Sequence, residues 1–357
     1  MVIIEKYTQF ETFSEEYHSS DWVFLHFIGS KNKHPLNDYP LMLYVRTSND
    51  NEYILSFAHD EAAELTLDAL TYLDNDKPKY VADIKAVCHF TNFRNVIDLQ
   101  QAEFQEHGNL IDNQVFLTTS HRFFYSKGMN NYVVPLMKHL ECCQDLFTNY
   151  KENIGVEYND FYRDANKVFA EVERAGLYVN PLKVPRGQSD NISKDYLMFT
   201  NYNVLTSTGR PSNTYDGLNF AALNKNDGSR KMIESRYDEL IEFDFDAYHV
   251  RLIGKIIGYD FGTESVHEHF SKLYNVSYEE SKSMTFKYLY GGVPDDIAKN
   301  HEFFGKVKDF YTKLWSRFNR DKVFLTDIYK RRITLDVKEF YPSKLFNYMI
   351  QSLETER

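Results

Sequence analysis

Ser281-Lys-Ser-Met-Thr-Phe-Lys-Tyr-Leu-Tyr-Gly-Gly292 is the stretch on which the reading of this chain turns. Lys282, Phe286 and Tyr290 fall at i, i+4 and i+8, so a helix sets one cation and two rings in a single stripe. Such a stripe can meet a triphosphate with its ammonium and stack its rings on a sugar or base. An isolated helix of this kind more often buries its rings in a core and leaves its lysine in water. The stripe therefore needs company from elsewhere in the chain.

Upstream lies Ile241-Glu-Phe-Asp-Phe-Asp-Ala-Tyr-His-Val-Arg251. The apolar alternation reads as a strand over Leu240–Phe245 that delivers Asp244 at its end, followed by a helical run from Val250 to Ile257. A carboxylate there is well placed for Mg²⁺, a hard ion held by few carboxylates together with phosphate oxygens. Solvated acids at a strand-end turn are the ordinary alternative. Further upstream, Thr206-Ser-Thr-Gly-Arg-Pro-Ser212 precedes Leu218-Asn219-Phe220. Small hydroxyl residues and Gly209 let backbone approach a phosphate or sugar, and Arg210 offers a rigid fork of donors. Alone, this is a glycine turn with a surface arginine.

In this order the three clusters resemble the polymerase domain of the family A DNA polymerases. Thr206–Ser212 is similar to that family's T-x-T-G-R-[LP]-S segment, which contacts primer–template in the minor groove. Asp244–Arg251 resembles motif A, D-Y-S-x-x-E-x-R, and Lys282, Phe286, Tyr290 and Gly291 match motif B, K-x-x-x-F/Y-x-x-x-Y-G. Asn347 and Gln351 are similar to an N-x-x-x-Q helix lying on the template–primer, and Glu173-Arg-Ala-Gly176 with Val179 resembles the segment that opens the domain. The resemblance runs from about Phe161 to Gln351, and motif B and the T-x-T-G-R segment are its most specific parts. It implies template-directed nucleotidyl transfer from a dNTP to a primer 3′-hydroxyl, with two Mg²⁺ ions. Asp244 and the carbonyl of Phe245 become metal ligands, and Lys282 meets the phosphates. His249, Arg251, Phe286, Tyr290 and Gly291 line the nucleotide. Thr206, Thr208, Arg210, Asn219, Asn347 and Gln351 contact DNA.

The sequence departs from the family in instructive places. His249 stands where motif A usually has the Glu that excludes a ribose 2′-hydroxyl, so deoxyribose selectivity needs another source. Tyr278 replaces an arginine and Lys287 a glycine in motif B. Motif C, the H-D-E-like hairpin with the second metal Asp, is not among these residues. One aspartate cannot hold two Mg²⁺ ions. The expectation is a second polypeptide carrying motif C, as in split phage polymerases, or a truncated reading, with an exposed sheet edge awaiting a partner strand. Only about thirty residues separate Gly176 from Thr206, too few for a helical thumb of ordinary length.

The rest of the chain frames this reading. The 357 residues allow two domains, expected at 1–155 and 156–357, in an α/β fold of palm and helical fingers preceded by a small α/β domain. Net charge is −11, but residues 1–160 carry 12 Lys+Arg against 24 Asp+Glu, a balance of −12, so the remainder sums to about +1. Residues 282–344 carry 14 against 8, or +6, so a polyanion is steered to the C-terminal half. The 27 Tyr and 28 Phe read mainly as an aromatic core. Cys88, Cys142 and Cys143 form no metal pattern or disulfide framework, which with no signal peptide and no membrane-length apolar run points to the cytoplasm, that of a host if the gene is a phage's.

Along the N-terminal part, strands are expected near Trp22–Ile28, Leu41–Arg46 and Glu52–Ala58, and helices over Glu61–Leu73 and Met137–Tyr150. Asp160–Ala175 reads as a helix burying Phe161, Ala165, Val168, Phe169 and Val172, stopped by Gly176. Asn180–Ile192 reads as a loop, and Ser277–Gly291, Phe303–Phe318 and Ser343–Glu356 as helices. The N-terminal domain sits where the family places a 3′–5′ exonuclease, yet Trp22–Ile28 holds His26 and no carboxylate. It reads as exonuclease-like without a metal site, or as an unrelated acidic domain. Two further functions compete: a non-catalytic primer–template binder, and a single-subunit RNA polymerase relative.

Overall fold

The computed structural model describes residues 1–30, 39–108, 110, 131–157, 161–185, 192–213, 219–224, 226–333 and 340–356. They form two compact units, Met1–Leu205 with Ser212–Asp238, and Thr206–Pro211 with Glu239–Arg357. The sequence boundary near residue 155 falls within the first of these.

The first unit is built on strands β1 (Val2–Ile4), β2 (Val23–Gly29), β3 (Pro40–Thr47), β4 (Glu52–Ser56), β5 (Lys79–Val81) and β6 (Val96–Asp98), in the order β1-β4-β3-β2-β5-β6. Consecutive β2, β3 and β4 pair antiparallel, as short connections require, whereas β5 runs parallel to β2 and β6 parallel to β5. Side chains alternate across the sheet. Val23, Leu25 and Phe27 join Phe10, Phe13 and Tyr17 of helix α1 (Tyr7–Ser19) on one face. Phe24, Ile28, Met42 and Tyr44 join Leu140, Phe147 and Tyr150, from the helix Leu136–Tyr150, on the other. Both faces are covered, so the strands read as near-continuous apolar runs.

Among the described residues this unit also holds the helices α2 (Ala69–Tyr72), α3 (Ile84–Cys88), α4 (Leu99–His107) and α6 (Phe161–Ala175), with Leu136–Tyr150 as α5. The helix expected over Glu61–Leu73 shrinks to α2. The cause is backbone pairing: the Leu65 N–H donates to the Ser56 carbonyl at 2.7 Å, which extends the chain from β4 instead of coiling it. Helix α6 is where the pattern placed it, and Gly176 follows it at φ +65°. Its buried face differs from the apolar stripe. Tyr162, Asn166, Ala170 and Glu173 are buried, while Val168 and Val172 are exposed. Glu173 accounts for the rotation. Its carboxylate takes Lys85 Nζ at 2.6 Å, the Tyr202 N–H at 2.6 Å and His89 Nε2 at 3.3 Å, so the polar anchor outweighs two valines.

The second unit is helical: α7 (Tyr248–Ile257), α8 (Val266–Tyr274), α9 (Tyr278–Gly291), α10 (Asp295–Asn300), α11 (Glu302–Asp321) and α12 (Pro342–Thr355), with a short antiparallel pair of β7 (Phe324–Leu325) and β8 (Arg332–Ile333). Its core holds much of the aromatic excess. Phe270, Phe303 and Phe304 are fully buried, with ring centroids 5.1–5.5 Å apart. Helix α9 begins at a capping box in which Ser277 and Glu280 each satisfy the other's backbone N–H. Helix α12 packs on α7, α9 and α11. The strand expected over Leu240–Phe245 is absent: the segment forms neither helix nor strand, pairs with nothing among the described residues, and exposes Ile241 at 70%, Phe243 at 90% and Phe245 at 76%. No helix among the described residues is long and apolar enough to cross a membrane.

Candidate nucleotide and nucleic-acid site

The Thr206–Pro211 loop is a turn closed by the Gly209 N–H on the Thr206 carbonyl at 2.9 Å and by Thr206 Oγ1 on the Arg210 carbonyl at 2.9 Å. Gly209 sits at φ +76°, and an added Cβ would lie 3.0 Å from both Arg331 Nη1 and Thr355 Oγ1. Conformation and crowding together call for glycine. The Thr208 carbonyl accepts from Thr355 Oγ1 at 2.8 Å and Arg331 Nη2 at 3.3 Å. Arg331 in turn pairs with Glu356 at 2.7 Å, both side chains almost wholly buried, and Glu356 also accepts the Ile328 N–H at 3.1 Å. A buried ion pair thus fixes the turn to the end of α12, and Arg210 alone of the loop's long side chains faces solvent.

The next segment separates its two aspartates. Asp244 is exposed and has no hydrogen bond or ion pair among the described residues. Asp246 accepts from Arg251 Nη2 at 2.8 Å and from the Val266 N–H at 3.2 Å, at the N-terminus of α8. Burial pushes the Asp246 carboxyl up, but Arg251 and that N–H outweigh it and hold it below the usual range. Arg251 also donates to the Glu264 carbonyl at 2.8 Å, so here it braces the α7–α8 connection. Ala247, at φ 46°, turns the chain between the Leu240–Phe245 segment and α7 in a left-handed conformation rare for alanine.

Helix α9 presents the stripe read from the sequence. Lys282 is exposed, and Phe286 and Tyr290 stack with centroids 5.9 Å apart and planes 4° from parallel. His267, on α8, packs against Phe286 at 5.7 Å. Burial pushes the His267 ring down, and Lys282 pushes it the same way while Asp246 and Glu279 oppose. Lys282 and Asp246 therefore bear on one ring. His249 Nδ1 is hydrogen-bonded to the Tyr290 hydroxyl, and its Nε2 lies 2.8 Å from Glu354 Oε2, an ion-pair distance outside hydrogen-bond angles. Arg210 acts electrostatically on both Tyr290 and Glu354. The loop, α7, α9 and α12 meet around this cluster.

Asn347 and Gln351 bond to each other at 3.1 Å along α12. Asn219 belongs to the first unit, where its side chain accepts the Ala222 N–H at 3.1 Å, and Leu218 lies outside the described residues. Gly291 ends α9 and is exposed. Sequence reasoning missed His267, Arg331, Glu354, Thr355 and Glu356. For Glu354 a signal existed: Asn347, Gln351 and Glu354 are spaced i, i+4 and i+7 on one helix stripe. For metal binding, the Asp244 carboxylate and the Phe245 carbonyl are hard oxygen donors suited to Mg²⁺. No group of three His, Cys, Asp or Glu among the described residues is placed to hold a metal, so these two are at most part of a two-ion site.

The fold is similar to that of the polymerase domain of a DNA polymerase. A solved structure that it resembles is the POL domain of Pol1 from M. smegmatis in complex with DNA primer-template and dNTP. The two superimpose at a TM-score of 0.70 with 12% sequence identity, over 99% of this chain and 86% of that one. No family model matches the sequence. No curated protein matches it either.

Proposed function

We propose that the chain is a template-directed DNA polymerase of the family A type, transferring nucleotides from dNTPs to a primer 3′-hydroxyl, with the second metal carboxylate supplied by a strand that pairs with Leu240–Phe245. The observation that carries this reading is the meeting of the Arg210 loop, His249, Tyr290 and the Lys282 helix in one unit of polymerase-domain fold. Mg²⁺, when bound, supplies charge neutralisation for the transferring phosphoryl group. Asp244, unpartnered and exposed, and the Phe245 carbonyl hold it. Lys282 takes the incoming phosphates as a point charge. Phe286 and Tyr290 pack against sugar and base, with Gly291 leaving room beside them. Arg210, Thr206 and Thr208 face the primer terminus from the minor groove, with Asn219, Asn347 and Gln351 along the duplex.

The alternation of Ile241, Phe243 and Phe245 with Glu242, Asp244 and Asp246 supports the partner strand. Pairing there covers three exposed apolar side chains and leaves the acids on the other face. A split, phage-like arrangement with motif C on a second polypeptide fits this edge. The sheet of the first unit, antiparallel β2-β3-β4 followed by parallel β5 and β6, is compatible with an exonuclease-like scaffold whose strand β2 carries His26 and no carboxylate.

Primer extension tests the reading. The chain alone is expected to bind primer–template in a salt-sensitive manner and to extend little. Extension is expected on addition of a fragment containing an H-D-E-like hairpin, and Asp244→Asn is expected to reduce it about a thousandfold or more. DNA binding that no nucleotide tightens, and no extension with any such fragment, would make the chain a non-catalytic binder instead.

A further inference from the structure

Arg210 is placed by a chain of hydrogen bonds that begins inside its own loop and ends on α12. Its backbone N–H donates to Thr208 Oγ1 at 3.4 Å, and its carbonyl accepts from Thr206 Oγ1 at 2.9 Å. With the Gly209 N–H on the Thr206 carbonyl, these bonds make residues 206–210 one turn that moves as a piece. The turn is tied down at the Thr208 carbonyl, which takes Thr355 Oγ1 at 2.8 Å and Arg331 Nη2 at 3.3 Å. We infer that Thr355 and Arg331 are positioning residues: by holding that carbonyl they set where Arg210 presents its guanidinium to the minor-groove edge of the primer-terminal base pair.

The first support is how Thr355 spends its hydroxyl proton. Two acceptors are in reach, the Thr208 carbonyl and, at 3.0 Å, the Ser352 carbonyl of its own helix. The Ser352 carbonyl already takes the Glu356 N–H at 3.1 Å, so the proton gains more on Thr208. The second is that Arg331 is itself immobile. Its Nε donates to Glu356 at 2.7 Å, its N–H to Thr326 Oγ1 at 2.9 Å, and its carbonyl accepts the Thr326 N–H at 3.0 Å. Thr208, Thr326, Arg331 and Glu356 are all buried, where water replaces a lost partner poorly. The third is the state of Arg210. Its backbone is bonded at both ends, yet its guanidinium is exposed, with no hydrogen bond or ion pair among the described residues. Anchoring the backbone limits the volume that a long side chain samples and leaves its donor fork free for a ligand. Glu354, the neighbour of Thr355 on α12, feels the Arg210 charge, which keeps the guanidinium on this side of the loop.

The proposal rests on the polymerase reading, which gives Arg210 its contact with the primer terminus. Its test separates the two. Affinity for primer–template is measured by fluorescence anisotropy with a primer ending in adenine, or in 3-deazaadenine, which lacks the minor-groove N3 acceptor. Wild type is expected to prefer adenine about tenfold, the effect of one hydrogen bond to a charged donor, and Arg210→Ala to show no preference. Thr355→Val keeps the shape and removes the hydroxyl. It is expected to lose most of the preference while binding the 3-deazaadenine primer within a few-fold of wild type, and Thr355→Ser to restore the preference. Arg331→Met with Glu356→Leu, which replaces the buried pair by apolar side chains, is expected to lose the preference too. If Thr355→Val and this double variant both keep the preference that Arg210→Ala has lost, or weaken both primers equally, the residues serve the fold alone. The inference is then overturned and the polymerase reading stands. If wild type shows no preference, or does not bind primer–template, the Arg210 contact of the polymerase reading is overturned and the inference falls with it.

Discussion

Val23–Gly29 and Leu240–Phe245 are both written as strands, and only one becomes a strand. β2 has a neighbour on each side, β3 antiparallel and β5 parallel, and a helical layer on each face, so Phe24 and Leu25 are wholly buried. Leu240–Phe245 has the stricter apolar–polar alternation of the two, yet it exposes Leu240 at 65% and Phe243 at 90% and forms no ladder. The comparison separates propensity from pairing. A strand's backbone groups and its apolar face are satisfied by other segments, and where no partner lies among the described residues the same kind of sequence stays unpaired and exposed.

The largest effect that would sharpen this comparison is in the sheet. Phe24→Ala is expected to cost about 3–5 kcal/mol, because it opens a cavity between β2 and α5 that the two covered faces cannot collapse to fill. Urea unfolding measures it, and a loss below about 1 kcal/mol would show that β2 is no better held than Leu240–Phe245. A second effect tests what orders the other unit in place of a ladder. Breaking the buried Arg331–Glu356 pair with Arg331→Met is expected to cost about 3 kcal/mol, and Arg331→Met with Glu356→Leu to recover much of it. The buried side chains, rather than strand pairing, then account for the fixed turn at Gly209.

A smaller effect comes from His26, on β2 itself. Burial pushes its imidazole down to about 4. The unfolded chain takes up a proton near pH 6.5 that the folded state refuses. Stability from this residue is therefore complete above about pH 6.5 and is lost as pH falls towards 4, with a slope of at most about 1.4 kcal/mol per pH unit. The ring keeps some solvent contact, so the measured slope should be less than that. His26→Leu is expected to flatten this part of the stability–pH profile. Glu173, held below the usual carboxylate range by His89 and Lys85 against the effect of burial, acts lower: its contribution is present above about pH 4.5 and declines as pH falls further.

Much of the architecture was legible because helices carry their own periodicity. Met137–Tyr150, Ser277–Gly291 and Ser343–Glu356 were placed to within a residue or two of α5, α9 and α12. The Lys282–Phe286–Tyr290 stripe was legible for the same reason, since its three members sit on one helix. What was not legible depends on contacts between distant segments. No local pattern announces that Glu173 will turn α6 by its hold on Lys85, or that Thr208 will be tied to Arg331 and Thr355. The different fates of Asp244 and Asp246 were not legible: two residues apart, they share a face of any strand, and that Asp246 would cap α8 needed the position of Val266. His249 was singled out for the residue it replaced, and that it would meet Tyr290 of α9 and Glu354 of α12 needed the fold.

The smallest expected effect is the most direct test of the comparison. Phe243→Ser should change the stability of the isolated chain by less than about 0.5 kcal/mol, because a side chain 90% exposed loses little on truncation. Amide exchange gives the same test without a substitution. The amides of residues 241–245 should exchange at nearly the rate of an unstructured peptide, while those of residues 24–28 should be protected by many orders of magnitude. Addition of a hairpin fragment that completes the ladder should reverse the first result: exchange at 241–245 slows, and Phe243→Ser then weakens the fragment's binding by the burial of one phenyl ring, about 2 kcal/mol. Protection of 241–245 in the isolated chain would mean that the segment is already paired, and the contrast with β2 would fail. A hairpin that binds without slowing exchange there would place the partner's edge elsewhere on the unit.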